Sequence, residues 1–248
     1  MDSGLIYSLV VLVLFSAAFL RSAVGFGDAV LAMPFLAVLV GVRTATPLVA
    51  FCASSIAFFI LVGNWRKADW RATLHLILAT LAGIPFGLFF ITRLSEDILK
   101  TALGALILVY GAYRLFRPNI KKLGSSLPPA YAFGFAAGML GGAYNTNGPP
   151  IVVYGTMRRW DPEHFRATLQ GYFLPTGLFI LAGHGVSGLW TFRVLKLYLL
   201  AVPFVLLGVY LGGKLNRSLP LKLFEKWINI VLIALGILLV VRTVFIQY

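Results

Sequence analysis

Charge is scarce in this chain. Only 12% of its 248 residues are charged, and just eight are acidic; a soluble domain carries about 25%. With 60% hydrophobic residues and a mean hydropathy of +0.91, the chain cannot be disordered, because disorder needs low hydrophobicity. Cysteine is nearly missing. The one Cys52 excludes a disulfide-stapled domain. Histidine is almost as rare: His75, His164 and His184 have no metal-ligand spacing and read as structural, although a membrane histidine such as His75 can relay protons. Long polar stretches are missing too. The longest runs from Arg117 to Ser126 and leaves no room for a soluble domain. A Walker-type phosphate loop, a nucleophile elbow and an HExxH stretch are all absent. The expectation is therefore not an enzyme, with no cofactor.

What is present is apolar length. The net charge of +13 would suit a nucleic-acid binder, but the basic residues sit singly or in short groups between apolar runs of about 20 residues. Nucleic acid is excluded as a partner, and the lipid bilayer takes its place. Ten apolar segments run over about 5–24, 28–41, 45–63, 72–92, 98–116, 129–144, 147–158, 165–184, 193–213 and 226–245. The apolar pattern continues past Arg21, so the first reads as a membrane segment rather than a removed signal. The second, sixth and seventh are short and lean on Gly or Pro. Backbone that breaks at membrane depth must be covered by protein or line a cavity. The fold class expected is an all-α polytopic membrane protein. Its short segments are either broken helices or re-entrant hairpins over 5–41 and 129–158.

Basic residues orient such a chain. If the segments cross in turn, Arg43, Arg93, Lys100, Arg193, Lys196 and Arg242 fall on one side, and the other fifteen of the 21 basic residues, Arg21 among them, fall on the other. The richer side should be cytoplasmic. Both termini are then extracytoplasmic, in a multi-pass protein of the cell (inner) membrane. Two hairpins in place of four crossings leave that orientation unchanged.

The chain also matches itself. Gly83 and Gly87 answer to Gly208 and Gly212, Gly111 to Gly236, Arg43 to Arg166, and Gly25 and Pro34 to Gly141 and Pro150. Two repeats, 1–117 and 129–248, are expected on either side of a basic cytoplasmic linker, 118–128. Each would hold an odd number of crossings, which gives inverted topology. Transporters built this way bind their substrate near the midplane, where broken segments of the two repeats meet.

Two stretches stand out. RSAVGFGDAVLAMP, from Arg21 to Pro34, sets Asp28 behind Gly25 and Gly27. A carboxylate in an apolar run is costly. Asp28 caps the following helix, pairs locally with Arg21, or carries a coupling proton. GMLGGAYNTNGPP, from Gly138 to Pro150, gathers Tyr144, Asn145, Thr146, Asn147 and Gly148. It is either a capped turn or an anion site, since neutral donors beside a helix N-terminus suit an anion. Arg21, Arg43 and Arg166 are the cationic candidates, with Arg166 also explicable as a topology marker. Gln170 is polar where lipid would reject it and is expected to point inward.

The GFGDAVLAMP stretch, the GGAYNTNGPPIVVY stretch and the near-duplicate halves resemble the sulfite exporter TauE/SafE family of membrane transporters. The resemblance covers nearly the whole chain. It implies movement of sulfite, sulfoacetate or related sulfur-containing or organic oxyanions. The expected site comprises Gly25, Gly27, Asp28, Arg43, Tyr144, Asn145, Thr146, Asn147, Gly148, Arg166 and Gln170. Asp28 departs from the most glycine-dense form of the first motif. The expected function is a secondary transporter or exporter working by alternating access, with proton coupling and homo-oligomerisation both open. The alternatives are an anion channel and a non-transporting membrane scaffold subunit.

Overall fold

The computed structural model describes residues 3–62, 70–116, 122–123, 127–160 and 162–215, with positions 230, 233, 234, 236–239 and 241 beyond them. Among these residues every regular element is a helix. In chain order they are α1 (Ser3–Val24), α2 (Asp28–Leu39), α3 (Val42–Val62), α4 (Trp70–Arg93), α5 (Glu96–Phe116), α6 (Pro128–Tyr144), α7 (Gly148–Met157), α8 (Pro162–Val186) and α9 (Phe192–Leu215). Long apolar runs fold this way because a helix satisfies its own backbone where no water can. The first nine expected segments each coincide with one helix. The tenth lies largely outside the described residues, as do most of the linker and the His164 side chain.

Among the described residues five helices, α1, α3, α4, α5 and α9, are long and apolar enough to cross a membrane. The expectation of short broken helices holds at both places. Helix α2 has 12 residues and α7 has 10. At 1.5 Å per residue they reach about 18 and 15 Å, well under the roughly 30 Å hydrocarbon core. Helix α1, at 22 residues, is full length, so 5–41 is a long helix followed by a short one rather than two short arms.

Small residues decide how the long helices cross. Helices α4 and α6 pack together along their length, and so do α1 and α9. A Cβ added at Gly83 would lie 2.2 Å from Phe135 O, and one at Gly138 would lie 2.1 Å from Thr80 O. On the other pair, a Cβ at Gly208 would meet Phe15 O at 2.7 Å, and one at Gly212 would meet Phe19 O at 2.4 Å. Where lipid gives no hydrophobic drive between helices, this close backbone approach supplies the packing. Gly83, Gly87, Gly208 and Gly212 all make contacts of that kind. Helix α3 packs on α8 and α9, and α4 packs on α8.

The outer surface is apolar. Leu12, Phe89, Val109 and Leu199 are each more than half exposed, a liability in water and the ordinary state in lipid. Inside, one buried cluster is built mainly from α1, α2, α3, α5 and α9, and a second mainly from α6, α7 and α8. Phe26, in the break between α1 and α2, packs against both. The two helix breaks therefore sit where the two cores meet.

Candidate functional site

Helix α1 ends because Gly25 and Gly27 take the left-handed backbone, at φ 103° and 101°. A side chain there would be strained, whereas glycine adopts it freely. Open space faces Gly27, whose added Cβ would find only Leu20 Cδ2 at 3.6 Å. The backbone angle, not crowding, requires glycine there. Helix α2 starts at Asp28 with Gly27 as its cap, so no side chain caps it. Of the three readings of Asp28, side-chain capping is thus removed, and pairing with Arg21 is observed.

The second break is made differently. Helix α6 ends at Tyr144, and Asn145 turns left-handed at φ 54°, a conformation asparagine tolerates. Its N–H donates to Gly141 O at 2.7 Å, and the Thr146 N–H to Leu140 O at 3.2 Å. Helix α7 then begins at Gly148 with Pro149 and Pro150 in its first turn. Prolines have no N–H, so this helix end offers fewer backbone donors than an ordinary one. The breaks lie 120 positions apart, since α1 ends at Val24 and α6 at Tyr144.

The two breaks line one small cavity. Gly27, Asp28, Ala29 and Val30 form one wall, and Asn145, Thr146, Asn147 and Gly148 form the facing one. Arg21, Ala53 of α3, and Phe173 and Gly177 of α8 close it. Its free volume is about 20 Å³, room for about one water.

Arg21 dominates the electrostatics. It is 3% exposed at the end of α1. Its Nη1 meets Asp28 Oδ2 at 2.7 Å, and its Nη2 donates to Gln170 Oε1 at 3.1 Å. The Phe173 ring lies against the guanidinium at 4.8 Å, within cation–π range. Gln170 then donates from Nε2 to Gly25 O at 2.6 Å, tying α8 to the first break. Arg21 Nε is buried with no hydrogen-bond partner. Breaking a buried pair by deleting one member costs about 3–5 kcal/mol, because the survivor is left uncompensated. Across the cavity, Asn147 Nδ2 donates to Thr176 Oγ1 at 3.3 Å, and Thr146 Oγ1 to Leu140 O at 3.4 Å.

Most of the sequence-expected residues thus converge: Gly27, Asp28, Asn145, Thr146, Asn147 and Gly148 line the cavity, and Gln170 and Gly25 brace it. Two do not. Arg43 donates to Ile91 O at 3.1 Å and Leu94 O at 2.8 Å; it closes the C-terminal end of α4, where carbonyls lack partners and a cation is favoured. Tyr144 turns its hydroxyl to Leu99 O at 3.1 Å and pegs α6 to α5. The Arg166 side chain lies outside the described residues. Of the three cationic candidates, Arg21 is the one that lines the cavity, buried and ion-paired with Asp28. Phe173 and Gly177 were not anticipated. Their signal was periodicity, since Gln170, Phe173 and Gly177 fall at i, i+3 and i+7 on one face of α8.

The arrangement offers an arginine fork, amide and hydroxyl donors and the N-terminal ends of two helices around one enclosed point. The sequence profile of the sulfite exporter TauE/SafE family matches residues 10–239. The chain belongs to that family. A probable sulfite/organosulfonate exporter TauE of Cupriavidus necator is 24% identical over 207 residues, 80% of each chain. A probable inner membrane transporter protein TsaS of Comamonas testosteroni is 24% identical over 177 residues, 70% of this chain and 73% of that one. No solved structure matches the chain significantly. The family is one of membrane exporters, not of enzymes, and its members are membrane proteins, in keeping with the apolar helices here.

Proposed function

We propose that the chain is a secondary transporter of small sulfur-containing or organic oxyanions, sulfite and sulfoacetate being typical of the class. The observation that carries this is the meeting of the α1–α2 and α6–α7 breaks around Arg21 in one enclosed cavity. A compact oxyanion has acceptor oxygens on every side and needs convergent donors. Arg21 supplies a bidentate fork, and Asn145, Thr146 and Asn147 supply neutral donors. The names of the two relatives point to the same chemistry and to the inner membrane.

Alternating access about this point follows if the chain is two inverted repeats, 1–117 and 129–248, joined by 118–128. The packing supports that reading. Helix α1 packs on α9 as α6 packs on α4, α3 packs on α9 as α8 packs on α4, and α1 meets α2 as α6 meets α7. Each relation maps onto its counterpart when α1 to α4 are exchanged for α6 to α9. Such repeats place the site between them.

The test is flux in proteoliposomes. Saturable uptake of radiolabelled sulfite or sulfoacetate, accelerated by unlabelled anion on the far side, is expected of the carrier. Arg21→Lys should lose most of it, because lysine keeps the charge but not the fork. Non-saturating conductance without exchange would indicate the channel instead, and absence of any anion flux would leave a scaffold.

A further inference from the structure

We propose that Asp28 is an internal stand-in for the transported anion, and that the site takes up one proton for each anion it binds. The incoming anion takes over Arg21, and Asp28 is protonated as it is displaced. This rests on the anion-site reading above and adds its coupling.

Occupancy of Arg21 is the starting point. Its Nη1 is held by Asp28 at 2.7 Å and its Nη2 by Gln170 at 3.1 Å, with Phe173 against the plane. Nε is buried with no partner at all, while Nη1 and Nη2 are each already engaged by one acceptor. Among the described residues no second cation lines the cavity. An anion that takes the fork between Nη1 and Nη2 therefore displaces the carboxylate. Space gives the same answer, because free room for about one water cannot take a sulfonate headgroup while the carboxylate stays in place.

Charge then fixes the proton. The resting cavity holds one guanidinium and one carboxylate and is neutral. Adding a monoanion with Asp28 still ionised leaves a net negative charge in an enclosed site, with two like charges competing for one cation. Both the desolvation and the repulsion favour the protonated carboxyl. A proton taken from solution onto a carboxyl oxygen of Asp28 restores neutrality. It also turns a rival acceptor into an O–H donor beside the bound anion. No covalent bond other than that O–H forms or breaks.

The surroundings do not offer another proton acceptor of equal standing. Arg21 faces Asp28 from α1. On α3, Cys52 is a buried free thiol. From α5, Arg114 covers the Phe26 ring at 5.2 Å and is a cation already. The side chains that line the cavity from the α6–α7 turn and from α8 are neutral, Asn147 and Phe173 among them, as is Gln170.

The test uses the purified full chain and methanesulfonate, an anion that stays ionised throughout, titrated by calorimetry from about pH 6 to pH 8 in buffers of different ionisation enthalpy. The expected result is uptake of close to one proton per anion and an affinity that falls about tenfold per pH unit while Asp28 is ionised in the free protein. In Asp28→Asn the affinity should lose its pH dependence and exceed that of the parent at pH 8 by at least tenfold. Binding without proton uptake in the parent, or an unchanged pH slope in Asp28→Asn, overturns the coupling and leaves the anion site standing. No binding in the parent at any pH overturns the anion site and the coupling together. The proton count in the parent decides the matter even where the variant fails to fold.

Discussion

Gln170 of α8 accepts from Arg21 of α1 at 3.1 Å across 149 residues of chain. It hands its own donor to the Gly25 carbonyl at 2.6 Å. A single uncharged side chain thus holds both the cation of the cavity and the break that shapes it.

Asn147→Ala and Thr146→Ala should weaken anion binding while leaving the fold in place. Each sits in the turn between α6 and α7 and lines the cavity. An anion oxygen that loses one neutral donor is less satisfied by about 1–3 kcal/mol, roughly five- to 150-fold in affinity. Calorimetry with sulfite or methanesulfonate and a melting curve for each variant check this. Unchanged affinity in both variants would move the anion away from this turn.

Arg43→Ala should do the opposite. Its bonds go to the carbonyls of Ile91 and Leu94, so its loss uncovers the end of α4. The expected cost is about 1 kcal/mol of stability with binding intact. A lower melting temperature beside an unaltered binding isotherm is the result to look for.

Gly83→Ala and Gly208→Ala should destabilise the protein by about 1–3 kcal/mol each, as overpacking does, because an added methyl meets backbone at 2.2 and 2.7 Å. Gly4→Ala is the control, since nothing lies within 4 Å of its added Cβ. Thermal unfolding in detergent compares the three, and equal stabilities would mean that the helices part more easily than their packing implies.

The basic bias makes a topological prediction. Cysteines placed at Lys67 and Ser125, outside the described residues, should react with an impermeant maleimide only in inverted vesicles. The native Cys52, 3% exposed, gives little background. Labelling of both positions in intact cells would reverse the orientation.

The helices were legible in the sequence because hydrophobic length and Gly or Pro punctuation are local signals. The Gly25–Gly27 break and the Asn145–Gly148 turn could be named from composition alone. That they share a cavity is a long-range relation, which no local pattern records. Arg43 and Arg21 show where local reading stops. Both are arginines at a helix end, and only packing distinguishes one that covers the carbonyls of α4 from one enclosed with Asp28 and Phe173. Tyr144 failed for a similar reason, since its position beside the turn says nothing of the direction its ring takes. Phe173 and Gly177 needed a helical face counted from Gln170.

The pairing of α1 with α9 also bears on how the protein is made. Helix α1 emerges from the ribosome first, yet the surface that α9 covers stays without its partner until about 170 further residues have been added. At 5–20 residues per second that wait is on the order of ten to thirty seconds. During it, the face of α1 that carries Phe15, Ala18, Phe19 and Ser22 must sit against lipid or against the insertion machinery. Substitutions at Gly208 and Gly212 would then act late in assembly, sending a fully inserted but unclasped chain to quality-control proteases rather than blocking its entry into the membrane.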